Sequence, residues 1–368
     1  MPILNDIYSL LEPMSHDAPS AIRSIAREAR MVMTARLAST SAPRRSHSGD
    51  EESSQEIYQK ALKLLQDPIL PVRAHGLLLL RQLVTRSKRE IEPALIPAIL
   101  SIFLQSTQDD ESYLFLQSVQ GLAAMVDSYG QEVLKALIRE YTDGLFAAGA
   151  SSISQHELDI RTRVGEALGV VIRRCGSTLG IYSKSFSSVF MSSAMIFDEG
   201  DLLLPPLCAL VRSRSVPTAL RTSALSLLAD CVNTYTLAVL PYVVDLADAM
   251  IDLLQVEGVS AKDPSKPGPD TKPDKTSPTM DSQPLSADSK FPPLRRAAIH
   301  FLSLLIRSLT EQTSEKSLGD VHIYMDALQR ARTTLAYVAS TDEDTIVRVM
   351  AREAGEGLEQ LQQAFLGF

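Results

Sequence analysis

Apolar residues recur at helical spacing along most of the 368-residue chain. In the segment 53–66, positions 57, 61, 64 and 65 are apolar and lie at i, i+4, i+7 and i+8, which is one face of a helix. Ser53 with Glu56 three residues later is typical of a capping box. Pro68 disfavours helical geometry in the residue before it, so this pattern predicts a helix that ends near residue 66.

A second helix is predicted over 71–86, with a proline in its first turn, where the missing N–H costs nothing. This helix contains four consecutive leucines. Helical spacing places Val72, Leu79 and Leu83 on one inward face, and Gly76 on the same face permits close approach by a neighbour. The first two helices therefore form a helix–turn–helix joint.

The same joint, a polar turn followed by an apolar helix, recurs along the chain. It begins again at Asp109, Asp159, Ser215, Pro292 and Asp342. In the helix after Asp109, the pattern places Leu116, Val119 and Leu122 inward.

An arginine near the start of the second helix marks most of these joints. The aligned positions are Arg73, Phe115, Arg161, Arg221, Arg295 and Arg348. The first two intervals fall in the range of about 40–47 residues that is typical of HEAT and armadillo repeats. We therefore expect an all-α protein, a HEAT/armadillo-like α-solenoid built as a superhelix of helical hairpins, with one disordered insertion.

The pattern also divides the chain. The predicted segments are an N-terminal helical flank over 1–39, a flexible linker over 40–53, HEAT-like repeats over 54–257, a disordered linker over 258–292 and C-terminal HEAT-like repeats over 293–368. The disordered linker is rich in proline, lysine and aspartate, and such a composition does not bury enough apolar surface to offset its ordering entropy.

Composition narrows the class of function. Hydrophobic residues make up 45% of the chain and aromatic residues 5%, which favours packed helices, and the net charge of −8 argues against a nucleic-acid surface. The three cysteines lie far apart, so neither a disulfide framework nor a zinc site is expected. The sequence shows neither a signal peptide nor a membrane span.

A search for chemistry finds no catalytic constellation. No phosphate-binding glycine loop, dinucleotide fingerprint, zinc-protease pair or nucleophile elbow occurs, so we expect no catalytic, cofactor-binding or metal-binding residues. His156, Glu157 and Asp159 form a small polar cluster that we interpret as turn residues of a joint. His75 and His300 are interpreted as members of half-buried helix faces.

Two groups of charged residues remain as candidates for structural or binding roles. In stacked repeats the starts of successive second helices face one edge, so we expect an inter-repeat ladder of acids and arginines that holds the repeats in register. Its members are Asp67, Arg73, Asp159, Arg161 and Arg348. A small exposed patch for contact with a partner is expected at Arg161, Arg163 and Glu166.

Several strings resemble one known family. DPILPVRAHGLLLLRQLV, DDESYLFLQSVQGLAAMVDSYG and RTRVGEALGVVIRRCG are similar to the first C-terminal block of the Rtp/Tango family, over about 57–176. LRRAAIHFLSLLIRSL with DEDTIVRVMAREAGEGLEQL looks like the second block, within 293–368. The Pro-Val-Arg-Ala-His-Gly string is the most specific of these.

The resemblance implies a function. It implies a non-enzymatic scaffold in cytoplasmic assembly and nuclear import of RNA polymerase II, shuttling between cytoplasm and nucleus. The implied partners are polymerase subunits, assembly chaperones and nucleoporins. We expect a monomeric scaffold that binds no nucleic acid. Two alternatives stay open: a factor in protein secretion and Golgi organisation, and a regulatory scaffold subunit of an enzyme.

Overall fold

The computed structural model describes residues 54–86, 95–145, 153–182, 203–259, 292–315 and 321–366, together with scattered positions between 7 and 29. Within these residues the backbone forms helices and turns, and no strand occurs. The prediction of an all-α fold is therefore confirmed.

The chain divides into two compact units. Unit 1 consists of Met1–Leu137 with Glu166–Arg174, and unit 2 of Ile138–Gly165 with Cys175–Phe368. Over residues 54–175 the helices are α1 (Ser54–Leu65), α2 (Leu70–Arg86), α3 (Ile96–Ser106), α4 (Ser112–Thr142) and α5 (Gln155–Cys175). Helix α4 is kinked at Tyr129, where the backbone leaves helical geometry at φ −134° and ψ 35°.

Close helix packing in unit 1 depends on glycine at two positions. A Cβ on Gly76 of α2 would lie 2.9 Å from the carbonyl oxygen of Ala61 in α1, so the glycine lets the backbones of these two helices approach closely. A Cβ on Gly121 of α4 would overlap the ring of Phe103 in α3. The close approach expected at Gly76 is thus observed, and Gly121 provides a second one.

The buried face of α2 differs from the predicted one. Leu77, Leu80 and Leu83 are sealed in the core, whereas Val72 and Leu79 are only half-buried. A run of four leucines offers a hydrophobic face in more than one direction, and the contact of Gly76 with α1 selects among them. In α4 the inward positions of Val119 and Leu122 are confirmed, but Leu116 is exposed.

Unit 2 continues with eight further helices. They are α6 (Leu179–Tyr182), α7 (Leu204–Arg212), α8 (Thr218–Thr234), α9 (Thr236–Val239), α10 (Val243–Val259), α11 (Pro292–Glu315), α12 (Val321–Thr341) and α13 (Thr345–Leu366). Short 3₁₀ turns at Gly176–Thr178 and Leu240–Tyr242 lead into α6 and α10.

Three helix pairs of unit 2 stack on one another. The pairs are α7/α8, α10/α11 and α12/α13. The first helices contact in the order α7, α10, α12, and the second helices in the order α8, α11, α13. This two-row stacking is the packing expected of HEAT or armadillo repeats, in which each pair buries its apolar face against its neighbours.

Polar contacts reinforce the row of first helices. Arg330 of α12 donates to the carboxylates of Asp248 and Asp252 in α10, at 2.7 and 3.1 Å. The side-chain amide of Gln255 donates to the hydroxyl of Thr334 at 3.0 Å. These bonds join the same two helices from Asp248 to Gln255 on α10 and from Arg330 to Thr334 on α12, which fixes their register.

Some predicted segments lie outside the described residues. The predicted linker 40–53 does so entirely, and the predicted linker 258–292 does so at 260–291, while Gly258, Val259 and Pro292 belong to helices. Within the N-terminal flank 1–39, the described positions other than Pro19 are helical. Among the helices that the structure describes, none has the length and hydrophobicity that crossing a bilayer demands.

Candidate functional site

An ion pair joins the starts of α2 and α4 in unit 1. The guanidinium of Arg73 donates to Oδ2 of Asp109, with 34% and 22% of the two side chains exposed. Oδ1 of Asp109 meanwhile accepts from the backbone N–H of Glu111 at 3.1 Å, which caps the turn that opens α4. We call this region, residues 67–75 with residues 109–116, the α2/α4 edge.

Large apolar side chains are exposed at the α2/α4 edge. Ile69 lies one turn before Arg73, and Tyr113 and Leu116 lie one helical turn apart in α4; each is about half exposed. Leu114, between the last two, is sealed in the core. Burial of Leu114 anchors the helix start, so Tyr113 and Leu116 are not needed there for packing.

A corresponding ion pair joins α11 and α13 in unit 2. Arg295 forms an ion pair with Asp342, in which Nη2 donates to Oδ1 at 3.1 Å and Nε lies 3.0 Å from Oδ2. Each of these side chains is only 5% exposed. Next to them Arg296 donates to Oδ2 of Asp344 at 2.5 and 2.8 Å. We call this region, residues 292–300 with residues 342–349, the α11/α13 edge.

The charge of Arg296 affects the neighbouring carboxyl group. Burial of Asp344 opposes its ionisation, but the hydrogen bond and charge of Arg296 outweigh this and lower the pKa of Asp344 below its ordinary value. Oδ1 of Asp344 also accepts from the backbone N–H of Ile346 at 2.9 Å. The carboxylate therefore caps α13 in its ionised form.

The two edges share an eight-residue pattern. Residues 109–116 read DDESYLFL and residues 342–349 read DEDTIVRV. The first residues, Asp109 and Asp342, pair with Arg73 and Arg295, each of which is the fourth residue of an earlier helix. The sixth residues, Leu114 and Val347, are both buried. The fifth and eighth residues are exposed in both, by 51% for Tyr113, 49% for Leu116, 49% for Ile346 and 51% for Val349.

The remaining aligned arginines hold their own helix pair together. Arg161 is buried, and it donates to the backbone carbonyls of Tyr141 and Asp143 at 2.9 and 2.5 Å and to the carboxylate of Glu157 at 2.6 Å. Arg221 is also buried and donates to the carbonyl of Val211 at 3.1 Å.

Arg348 has a role of the same kind. It donates to the carbonyl of Asp342 at 3.2 Å, within the turn that opens its own helix. The aligned arginines therefore divide into two kinds. Arg73 and Arg295 pair with an acid that precedes a later helix, whereas Arg161, Arg221 and Arg348 donate to backbone carbonyls.

Tyr141 belongs to the Arg161 cluster. Its hydroxyl donates to the carbonyl of Leu220 at 3.2 Å. Burial, opposed by a hydrogen bond with Ser223 and by the charge of Arg161, raises the pKa of Tyr141 to about 12. The phenol therefore stays protonated at neutral pH and serves as a hydrogen-bond donor.

The acids predicted to complete the ladder have other partners. Oδ1 of Asp67 accepts from the backbone N–H of Ile69 at 2.8 Å, and Oδ1 of Asp159 accepts from the side chain of Gln155 at 2.8 Å. Asp159 lies inside α5, because Ser154 caps that helix by accepting from the N–H of Glu157. The register role of the ladder residues remains a prediction.

The predicted contact patch contains one residue that is not at the surface. Arg161 is 7% exposed and bound to carbonyls, so it does not form part of an exposed patch. Arg163 is half-buried and Glu166 is exposed on α5. His75 and His300, expected on half-buried faces, are both exposed.

Sequence reasoning missed Asp109 and Asp342 as the partners of the arginines, and it missed the exposed apolar pairs. In the sequence both acids mark only the start of a joint, and in the structure each also accepts a hydrogen bond from the backbone N–H two residues later. The signal in the sequence was the repeated eight-residue pattern. In both copies an aspartate precedes two large apolar residues by four and seven positions.

None of the groups of His, Cys, Asp and Glu in the described chain is arranged to hold a metal ion. An apolar pocket of unit 2 lies among α10–α13, and the side chains that line it, such as Val243, Leu302 and Leu358, carry no acid, base or nucleophile.

The three cysteines are buried thiols. Burial raises the pKa of Cys175 to about 11 and that of Cys208 to about 12, and it also raises the pKa of Cys231. A thiol becomes a nucleophile or metal ligand as the thiolate, which burial disfavours. These cysteines therefore behave as small core residues.

Comparison with known proteins identifies similar sequences. The family model described as "Required for nuclear transport of RNA pol II C-terminus 1" matches residues 58–178. The RNA polymerase II assembly factor RTP1 of Saccharomyces cerevisiae is 23% identical over 299 residues, which are 80% of this chain and 25% of that protein. Its namesake in Schizosaccharomyces pombe is 28% identical over 90 residues, 24% of this chain and 12% of that protein.

This chain thus spans about a quarter of the length of the budding-yeast relative and less of the fission-yeast one. Among solved structures, the designed armadillo repeat protein YIII(Dq)4CqI is similar over 82% of this chain and all of its own, with 14% identity and a TM-score of 0.33. The sequence matches include the α2/α4 edge, which lies within residues 58–178.

Proposed function

We propose that this chain, which is similar to the Rtp family over residues 58–178, is a non-enzymatic scaffold for the assembly of RNA polymerase II in the cytoplasm and its import into the nucleus. Its partners on this proposal are polymerase subunits and the assembly and transport factors that accompany them. The observation that carries the proposal is the match of residues 58–178 to a region described as required for nuclear transport of that polymerase.

The helical architecture supports a binding role. In unit 2, stacked helix pairs present the ends and outer faces of successive helices as a continuous surface, which is how repeat proteins bind large partners. Affinity on such a surface is the sum of many modest contacts. A concentrated catalytic pocket is therefore not required for the proposed function.

The chemistry of the ionisable groups also supports a scaffold. Arg295 pairs with Asp342 and Arg296 pairs with Asp344 across two helices, and the buried thiols are protonated at neutral pH. Groups that contribute to stability in this way are unsuitable as general acids or bases without a loss of fold.

The proposal concerns this chain as part of a larger task. The relative from budding yeast is about four times as long as the aligned region, so its whole activity does not transfer with the alignment. We propose that residues 58–178 and the stacked pairs of unit 2 each contribute a protein-binding surface to that task.

Affinity purification tests the proposal. The full chain, tagged and expressed in cells, is expected to enrich RNA polymerase II subunits over a tag-only control, and its depletion is expected to leave polymerase subunits in the cytoplasm. Leu122→Asp is the matched control, because Leu122 is fully buried and a charge there disrupts unit 1.

The possible outcomes separate the alternatives. Enrichment that survives Leu122→Asp unchanged counts against a contribution from the folded unit 1 and leaves only the surface of unit 2. The absence of any polymerase subunit counts against the whole proposal. Recovery of coat or tethering proteins in place of polymerase subunits supports the secretory alternative. A co-purifying enzyme whose activity changes with the amount of this chain supports a regulatory subunit.

A further inference from the structure

Exposed apolar side chains cluster at the α2/α4 edge. The Arg73–Asp109 ion pair brings together the helix starts that carry Ile69 on one side and Tyr113 and Leu116 on the other. Single exposed apolar residues are ordinary on a protein surface, but several large ones at two helix starts joined by an ion pair indicate a contact site. The sealed Leu114 between the two α4 residues shows that the helix start is already anchored without them.

The same edge carries an excess of negative charge. Residues 67–75 and 109–116 contain the acids Asp67, Asp109, Asp110 and Glu111 against the single guanidinium of Arg73. That guanidinium is engaged by Asp109. Asp110 and Glu111 are exposed next to Tyr113. The surface that a partner meets is therefore apolar in part and acidic at its margin.

The α11/α13 edge has the same exposed apolar pair but a different charge. Asp342, Glu343 and Asp344 are balanced there by Arg295, Arg296 and Arg348. An edge of neutral charge has no electrostatic preference for a basic partner. The two edges thus form a natural matched pair, alike in apolar exposure and different in charge.

We propose that the α2/α4 edge is a docking surface for an amphipathic segment of a partner protein, one that presents apolar side chains flanked by lysine or arginine. Apolar contact with Tyr113, Leu116 and Ile69 contributes affinity, as in helix-in-groove recognition. Attraction by Asp110 and Glu111 speeds association and excludes acidic segments. The inference rests on the proposed function for the identity of the partner and deepens it by naming the chemistry of the bound segment.

Two labelled peptides test the docking surface. They share one face of leucines and differ in the other face, which is lysine in the first and glutamate in the second. Titration with the full chain, followed by fluorescence anisotropy, is expected to show tighter binding of the lysine peptide. That binding is expected to weaken as sodium chloride is raised, because the attraction is screened.

Variants of the edge locate the binding. Tyr113→Ser with Leu116→Ser is expected to weaken binding of the lysine peptide about tenfold, through the loss of two buried apolar contacts. Asp110→Asn with Glu111→Gln is expected to weaken it several-fold and to flatten its salt dependence. The matched control, Ile346→Ser with Val349→Ser, is expected to leave it unchanged.

Several results would overturn the docking surface. They are equal binding of the two peptides, an equal loss in the Ile346/Val349 control, or no loss in either edge variant. Circular dichroism melting checks that each variant is folded. If the serine variant does not fold, the Asp110/Glu111 variant, which alters exposed side chains alone, decides the matter by its effect on affinity.

The peptide titration and the polymerase purification can contradict the docking surface and the proposed function independently of each other. Binding of the lysine peptide at this edge without any enrichment of polymerase subunits removes the proposed function and leaves the docking surface. Enrichment of polymerase subunits together with equal binding of both peptides removes the docking surface and leaves the proposed function.

Discussion

The α2/α4 and α11/α13 edges are built from the same eight-residue pattern, yet their ion pairs differ in burial. Arg73 and Asp109 are 34% and 22% exposed, whereas Arg295 and Asp342 are each 5% exposed. In unit 2 the pair is covered by neighbouring helices and joined by a second pair, Arg296 with Asp344. In unit 1 the pair stays in contact with water.

This difference in burial changes what the same residues contribute. A desolvated pair costs energy to form and is strongly destabilising when one partner is removed, whereas a solvated pair contributes little either way. The α11/α13 edge is therefore fixed by its charges. The α2/α4 edge depends mainly on apolar packing, and its acids Asp110 and Glu111 are exposed.

Removal of Arg295 is the largest expected effect. Arg295→Ala leaves the Asp342 carboxylate buried without its guanidinium, which we expect to cost about 3–5 kcal/mol of unfolding free energy, measured by urea denaturation. Arg307→Ala, at an exposed position of the same helix, is the control and is expected to change stability by less than about 0.5 kcal/mol. Comparable losses in the two variants would contradict the comparison.

Gly121 tests the packing beneath the α2/α4 edge. Gly121→Ala puts a methyl group into the ring of Phe103, and we expect a loss of about 1–3 kcal/mol from overpacking, measured by thermal unfolding. At the equivalent position of α13 the chain carries Ala354, which is buried.

The control for Gly121 is a glycine of α13. No atom lies within 4 Å of a Cβ built on Gly355, so Gly355→Ala is expected to stabilise the helix by up to about 1 kcal/mol. A stabilising Gly121→Ala would show that α3 and α4 do not pack as closely as described.

Removal of Arg73 is expected to have a smaller effect than removal of Arg295. Arg73→Ala should lower the unfolding free energy by about 1 kcal/mol or less, and by less still in high salt, because its pair with Asp109 is solvated. A double-mutant cycle of Arg73→Ala with Asp109→Ala is expected to show coupling, and a cycle with Asp67→Ala to show almost none. The reverse result would restore Asp67 as the partner.

The smallest expected effect is a change in the response to acid. The folded protein lowers the pKa of Asp344, so this group contributes stability that is present above its unfolded pKa of about 4 and is lost as pH falls below that value. Asp344→Asn removes this contribution, and its stability should decline less than that of wild type over the acid range. Glu343→Gln, at an exposed carboxylate of the same turn, is the matched control, and equal slopes for wild type and Asp344→Asn would contradict the prediction.

Local sequence patterns predicted the helices well because their causes are local. The helix after Asp67-Pro68 was expected over 71–86 and occupies Leu70–Arg86. Proline, acids and hydroxyl side chains fix where a helix begins through bonds to residues two or three positions away. The recurring joints were visible for the same reason.

The partner of each arginine was not predictable in this way. Asp67 is near Arg73 in the chain but accepts a hydrogen bond from the backbone N–H of Ile69. The observed partner, Asp109, lies 36 residues after Arg73 and comes into contact only through tertiary packing. Arg161 likewise looked exposed because its neighbours Arg163 and Glu166 are polar. It is buried because the carbonyls at the end of α4 lie against it.

The buried thiols have a practical consequence for a study of the α2/α4 edge. Reagents such as maleimides react with thiolates that water can reach, and Cys175, Cys208 and Cys231 offer neither accessibility nor ionisation in the folded protein. A single cysteine introduced at Tyr113 can therefore carry a spectroscopic label without removal of the native ones. Because the native cysteines are buried, a label at that position reports on the α2/α4 edge alone.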